Sequence, residues 1–120
     1  MKNFKDYLVW EKAHLLVKEV YIVTRSFPET ERFNLISQLR RASTSIPTNI
    51  AEGTGKFTQK DFLKYLQQAL GSTHEVEYLL LLSFELQYIG DDTYKNSNLL
   101  VNEVKAMLIS LIKKIRNEIK

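Results

Sequence analysis

The stretch Arg40 to Lys56 reads RRASTSIPTNIAEGTGK, and much of the chemistry this chain could offer lies within it. It holds hydroxyls at Ser43, Thr44, Ser45 and Thr48, polar groups at Asn49 and Glu52, and cations at Arg40, Arg41 and Lys56. Gly53-Thr54-Gly55-Lys56 has the glycine pair and lysine of a phosphate loop, but it follows a helical pattern where such a loop needs a strand. The hydroxyls lack a base nearby in sequence, and hydroxyls within a helix usually bond back to the preceding turn. Metal sites between helices need carboxylate–histidine pairs on facing helices. Two histidines, His14 and His74, with His74-Glu75-Val76-Glu77 as a lone cluster, do not supply that set. There is no cysteine, which excludes disulfides and thiolate–metal sites. No nucleophile elbow or dinucleotide fingerprint is present. The expectation is a protein that is not an enzyme, with no cofactor, no metal and no small-molecule substrate.

Cations give the remaining chemistry, which is contact with phosphates. The formal net charge is +3, with a pI of about 9.1. From Lys105 onward, Lys105, Lys113, Lys114, Arg116 and Lys120 stand against Glu118 alone, so the basic excess of the chain sits in its last helix. No helix-turn-helix, zinc finger or aromatic RNA-binding motif accompanies it. The candidate nucleic-acid contacts are Arg40, Arg41, Lys56, Lys60, Lys113, Lys114 and Arg116. Arg40 and Arg41, being successive, project about 100° apart on a helix and do not form one clamp unaided.

The elements that must position these residues are helices. Val9, Ala13, Leu16, Val20, Val23 and Phe27 form an apolar stripe at four-and-three spacing. Pro28 breaks it and suits the first turn of a second helix, where Glu29 and Glu31 favour the positive end of the dipole. Leu35, Leu39, Ala42, Ile46 and Ile50 form the second stripe, with Gly53 as its C-terminal stop. Pro47 lies inside that stripe. It removes one donor and crowds the turn before it, which predicts a kink, with Ser43 and Asn49 satisfying the freed backbone and Glu52 pairing with an arginine of the same or a neighbouring subunit. Thr58 to Asp61 resembles a capping box that opens a third helix. That helix carries Phe62, Leu66, Ala69, Thr73, Val76 and Leu80 and runs to Ile89, with Gly90 ending it. A fourth helix, capped by Asp91 or Asp92 or starting later at Ser97, carries Val101, Val104, Leu108, Leu111 and Ile115. No window alternates at period two, so no strand is predicted. Short connections between long amphipathic helices predict an all-α, up-down-up-down antiparallel four-helix bundle, with residues 1–120 as a single domain.

The helices carry more apolar surface than one core needs. Leu8, Leu15 and Ile22 recur at sevens away from the first stripe, and Trp10, Val17 and Thr24 widen its other flank. Leu63, Leu70, Leu81 and Tyr88 form a side stripe on the third helix. A helix apolar on more than one side is buried on more than one side, so these seven side-stripe residues are the candidate oligomer interface. The longest apolar run, Tyr78 to Leu82, is far too short to span a bilayer. MKNFKDYLVWEKAH is too charged for a signal peptide, and a cytoplasmic setting is the natural expectation.

The stretch FPETERFNLISQLRRASTSIPTNIAEGTGK, with Val9-Trp10 before it and ALGSTHEVE after it, resembles the four-helix-bundle protein family of the 23S rRNA intervening sequences. That family is similar to the accessory protein of diversity-generating retroelements. The resemblance implies a homopentamer that binds RNA or DNA, or a nucleoprotein such as a reverse transcriptase, and it implies no enzymatic activity. The alternative is a protein-interaction or structural scaffold with no nucleic-acid role, in which the surplus apolar stripes are the working surface.

Overall fold

The computed structural model describes residues 3–119. Those residues form four α-helices and no strand: α1 (Leu8–Thr24), α2 (Ser37–Thr54), α3 (Gln59–Glu85) and α4 (Asp91–Ile119). The molecule is a rod-like body of 47 × 23 × 20 Å. The principal contacts join α1 to α2, α2 to α3, α3 to α4, and α4 back to α1. All residues of the first three apolar stripes are buried in one shared core. On α4 the stripe continues from Leu108 to Ile112 and Ile115, and Leu111 is half-buried beside it rather than at its centre. The step of four keeps Ile112 under Leu108 on the core side.

The entry to α2 differs from the expected plain helix start. Pro28 precedes a 3₁₀ turn at Glu29–Glu31, and a π-helical turn at Arg32–Ile36 follows before α2 begins. Glu31 holds this entry: its carboxylate accepts from Asn34 Nδ2 at 3.2 Å and from the Leu35 backbone N–H at 3.4 Å.

Gly53 is not a stop signal. It lies buried within α2, and a β-carbon there would sit 2.8 Å from Phe62 Cδ1 and 2.9 Å from Tyr65 Cβ. The residue is glycine because α3 packs against the α2 backbone at that point. Gly53→Ala is expected to cost about 1–3 kcal/mol through overpacking, read as a lower midpoint in urea unfolding.

The side chains around Pro47 also depart from expectation. Ser43 Oγ donates to the Arg40 carbonyl at 3.1 Å, and Asn49 Nδ2 donates to the Ser45 carbonyl at 2.8 Å. Neither reaches the Ser43 carbonyl that Pro47 deprives of its helical partner; a serine hydroxyl points back to the preceding turn instead. Thr44 Oγ1 and Thr48 Oγ1 do the same, donating to the carbonyls of Arg40 and Thr44 at 2.9 and 2.7 Å. Glu52 is exposed and makes no ion pair with an arginine of its own subunit among the described residues, which leaves its carboxylate open to a neighbouring one.

At α3 the capping hydrogen bond forms, with the Asp61 N–H donating to Thr58 Oγ1 at 3.1 Å. The far end stops earlier than Gly90. Tyr88 N–H donates to the Ser83 carbonyl and Gln87 N–H to the Phe84 carbonyl, both at 2.9 Å, which is a Schellman pair. Gln87 occupies its left-handed position with φ 66°. Because a side chain pays a steric penalty there, Gln87→Gly is expected to stabilise the fold by about 0.5–1 kcal/mol, measurable as a raised thermal midpoint. The fourth helix begins at Asp91; Ser97, the later alternative, is buried within it and donates to Glu19 at 3.3 Å.

Candidate nucleic-acid interface

Of the seven cations singled out from the sequence, the fold brings five to one end of the molecule. Gln59 Nε2, at the start of α3, donates to Glu118 near the end of α4 at 3.2 Å. The Tyr7 ring, just before α1, lies 5.8 Å from the Phe62 ring of α3, and burial together with the Glu118 charge pushes its phenol above the usual range. Lys56, just after α2, lies 5.0 Å over the Tyr65 ring. A cavity of about 270 Å³ between Tyr7, Leu8 and α4 is edged by Lys114. These contacts place Lys56, Lys60, Lys113, Lys114 and Arg116, all exposed, at the end of the molecule where α2 ends, α3 begins and α4 ends, with Lys114 on the Glu118 side of α4 and Lys113 and Arg116 projecting from its other side. Among the described residues none of the five has an ion-pair partner within 4 Å. Lys120, counted in the basic tail, lies outside the described residues.

Lys64 joins this end one turn along α3, 3.9 Å from Asp61. The i+4 step from Lys60 was the sequence signal for it. A second residue that sequence reasoning passed over is Phe57, which precedes the α3 cap and is 97% exposed.

Arg40 and Arg41 stand apart from this end, ~22–24 Å along α2 from Lys56 at 1.5 Å per residue. Arg40 is half-buried. Its Nε donates to Thr24 Oγ1 at 3.0 Å and its guanidinium lies 4.6 Å from the Tyr21 ring. It therefore ties α2 to α1 and is withdrawn from the candidate site. Arg41 is exposed and donates to Ser37 Oγ at 3.4 Å.

The candidate interface residues divide as well. Leu8, Leu15 and Ile22 are 56%, 46% and 56% exposed, and Leu99 of α4 adds a further exposed apolar side chain. They share an α1 face with Lys12, whose ammonium pairs with Glu103 of α4 at 2.8 Å. Leu81 is exposed on α3, one turn beyond Glu77, whose carboxylate binds Lys105 of α4 at 3.0 Å. The exposed α1 face and the single exposed Leu81 thus flank α4 on different sides, because Glu103 and Lys105 project about 200° apart. Leu63 and Leu70 are half-buried against the core. Tyr88 corrects the expectation: its hydroxyl donates to Glu31 at 2.9 Å and its ring lies 5.4 Å from Phe27, so it is engaged within the chain. That hydrogen bond pushes the Tyr88 phenol upward from its ordinary value.

Nothing else organises chemistry. Glu11 and His14 have the i,i+3 spacing of a helical metal pair, yet the His14 ring stacks on Trp10 at 5.0 Å. Among the described residues no group of three or more acidic, histidine or cysteine side chains forms a metal site. No helix among them is long and apolar enough to cross a membrane.

The fold and the site together define an all-helical protein with four helices around one core and a basic end. Its sequence matches the model of the 23S rRNA-intervening sequence proteins over residues 5–110, and the chain belongs to that family. It is similar to a crystallised protein of unknown function from the S23 ribosomal protein family of Bacteroides thetaiotaomicron, with 32% identity and a TM-score of 0.79 over 88% of this chain and 96% of that one. No curated protein matches the chain.

Proposed function

We propose that this protein is a non-enzymatic, homo-oligomeric accessory factor that binds RNA or a nucleoprotein through its basic end. The observation that carries the reading is the placement of Lys56, Lys60, Lys113, Lys114 and Arg116, from three separate helix ends, at one end of the molecule, where among the described residues none of them has an ion-pair partner within 4 Å. Unpaired cations brought together in this way suit a polyanion, whose phosphates supply what the chain does not. The membership in a family associated with ribosomal RNA insertions supports the same partner.

The contacts that join consecutive helices, and α4 to α1, support an up-down-up-down bundle. The hydroxyls of Ser43, Thr44 and Thr48, bonded to the Arg40 and Thr44 carbonyls before Pro47, support a bend in α2 there. The exposed α1 face and Leu81, on different sides of α4, support a head-to-tail ring, in which the α1 face of each copy meets the Leu81 side of the next. A pentamer is the ring size the family resemblance implies, and the cytoplasm is the setting in which such a partner is met.

Filter-binding titration of the purified protein against a structured RNA, repeated across salt concentrations, tests the reading. Affinity is expected to fall linearly with the logarithm of salt. Absence of binding at low salt would leave the apolar patches as the working surface, and with them the second reading, a protein-interaction scaffold.

A further inference from the structure

Phe57 occupies the position before the Thr58 cap of α3. An apolar residue there commonly packs against the fourth helical residue, which fixes how the chain enters the helix. The fourth residue here is Phe62, so both members of such a staple are present. It does not form. Phe62 is buried with its ring against Tyr7 and against the backbone at Gly53, while Phe57 is 97% exposed. The ring stands in the short α2–α3 turn beside Lys56, with Lys60 in the first turn of α3 and, across the Gln59–Glu118 hydrogen bond, Lys114 one turn before Glu118 on α4.

We infer that Phe57 is a stacking platform for an unpaired nucleobase at the basic end. This deepens the nucleic-acid reading and rests on it. A flat apolar face next to Lys56, at the end of the molecule that carries the other lysines, suits single-stranded polynucleotide, in which the phosphates meet the lysines and an unstacked base lies on the ring. A duplex offers the phosphates but keeps its bases stacked inside.

The test uses the full chain with fluorescently labelled single-stranded RNA and DNA of roughly 10–16 nucleotides, and a duplex of equal length. Phe57→Ala is expected to weaken single-strand binding by roughly 5- to 150-fold, in the RNA arm, the DNA arm or both, which identifies the strand chemistry. The salt slope stays at the wild-type value, because Phe57 neutralises no phosphate. Phe57→Trp restores binding, and the new indole fluorescence is quenched when the strand binds. The proposal is overturned if Phe57→Ala binds like wild type while charge reversal of Lys60, Lys113 and Lys114 abolishes binding; the basic-end reading then survives. It is also overturned if Phe57→Ala changes the oligomeric mass, which assigns the ring to a second copy, or if duplex and single strand lose equally. Failure of the wild-type protein to bind any of the three overturns both.

Discussion

A chain carrying Lys60→Glu, Lys113→Glu and Lys114→Glu is expected to lose RNA affinity by roughly 100-fold or more at low salt, taking about 1 kcal/mol for each cation facing an anionic surface. The salt dependence is expected to flatten as well, by about 0.7 in slope for each phosphate of a single strand that is no longer neutralised. All three side chains are exposed, so the fold is expected to melt at close to the wild-type temperature. Arg41→Gln is the matched control. It removes another exposed cation, ~22 Å along α2 from Lys56, and is expected to leave affinity and slope nearly unchanged. If the control weakens binding as much as the triple reversal, the whole basic surface acts through net charge and the end of the molecule is not a site. Arg40→Ala is no control, since its guanidinium ties α2 to Thr24 and Tyr21 of α1.

The second large effect concerns assembly. Leu15→Asp with Ile22→Asp is expected to convert the protein to single copies, read as molar mass by light scattering after gel filtration. Leu15 and Ile22 are about half exposed and lie with Leu8 and Leu99 on one face. Fully covering a leucine or isoleucine is worth about 1.5–3 kcal/mol, and an aspartate in its place reverses the sign. In a head-to-tail ring each copy presents two different patches, so Leu81→Asp, on the other side of α4, is expected to disperse the assembly independently. A wild-type protein that already runs as a single copy, or a double variant that keeps the wild-type mass, would refute the apolar interface.

The buried half of this fold was legible from residue spacing. Val9 to Phe27, Leu35 to Ile50 and Phe62 to Leu80 each repeat at three and four, and each is buried along its length. Periodicity reports which side of a helix faces inward, and nothing more. It placed Leu111 on the α4 core stripe, where the shift to Ile112 depends on how α4 is rotated against its neighbours. Gly53 read as a terminator because glycine commonly ends helices; its actual role depends on Phe62 and Tyr65 of another helix. Tyr88 read as surplus apolar surface because its partner, Glu31, lies 57 residues away. The basic end was hidden for the same reason. Lys56 and Lys60 are more than 50 residues from Lys113 in the chain, and only helix-to-helix contacts bring them together. Arg40 and Arg41 were indistinguishable in a charge tally, whereas one turns toward α1 and the other toward solvent.

The way the helices meet also has a kinetic side. Three of the four principal helix contacts join neighbours along the chain, so much of the core assembles from local encounters, the pattern of fast-folding proteins. The contact between α1 and α4 is different, since it closes a loop spanning nearly the entire chain and carries the largest closure entropy. That seam holds the Lys12–Glu103 pair and borders the exposed Leu8, Leu15 and Ile22. The seam with the largest closure cost is therefore next to the exposed apolar face proposed as the interface between copies. A copy docking there would act as a clasp on that long-range seam, linking the lifetime of the folded subunit to its place in the assembly.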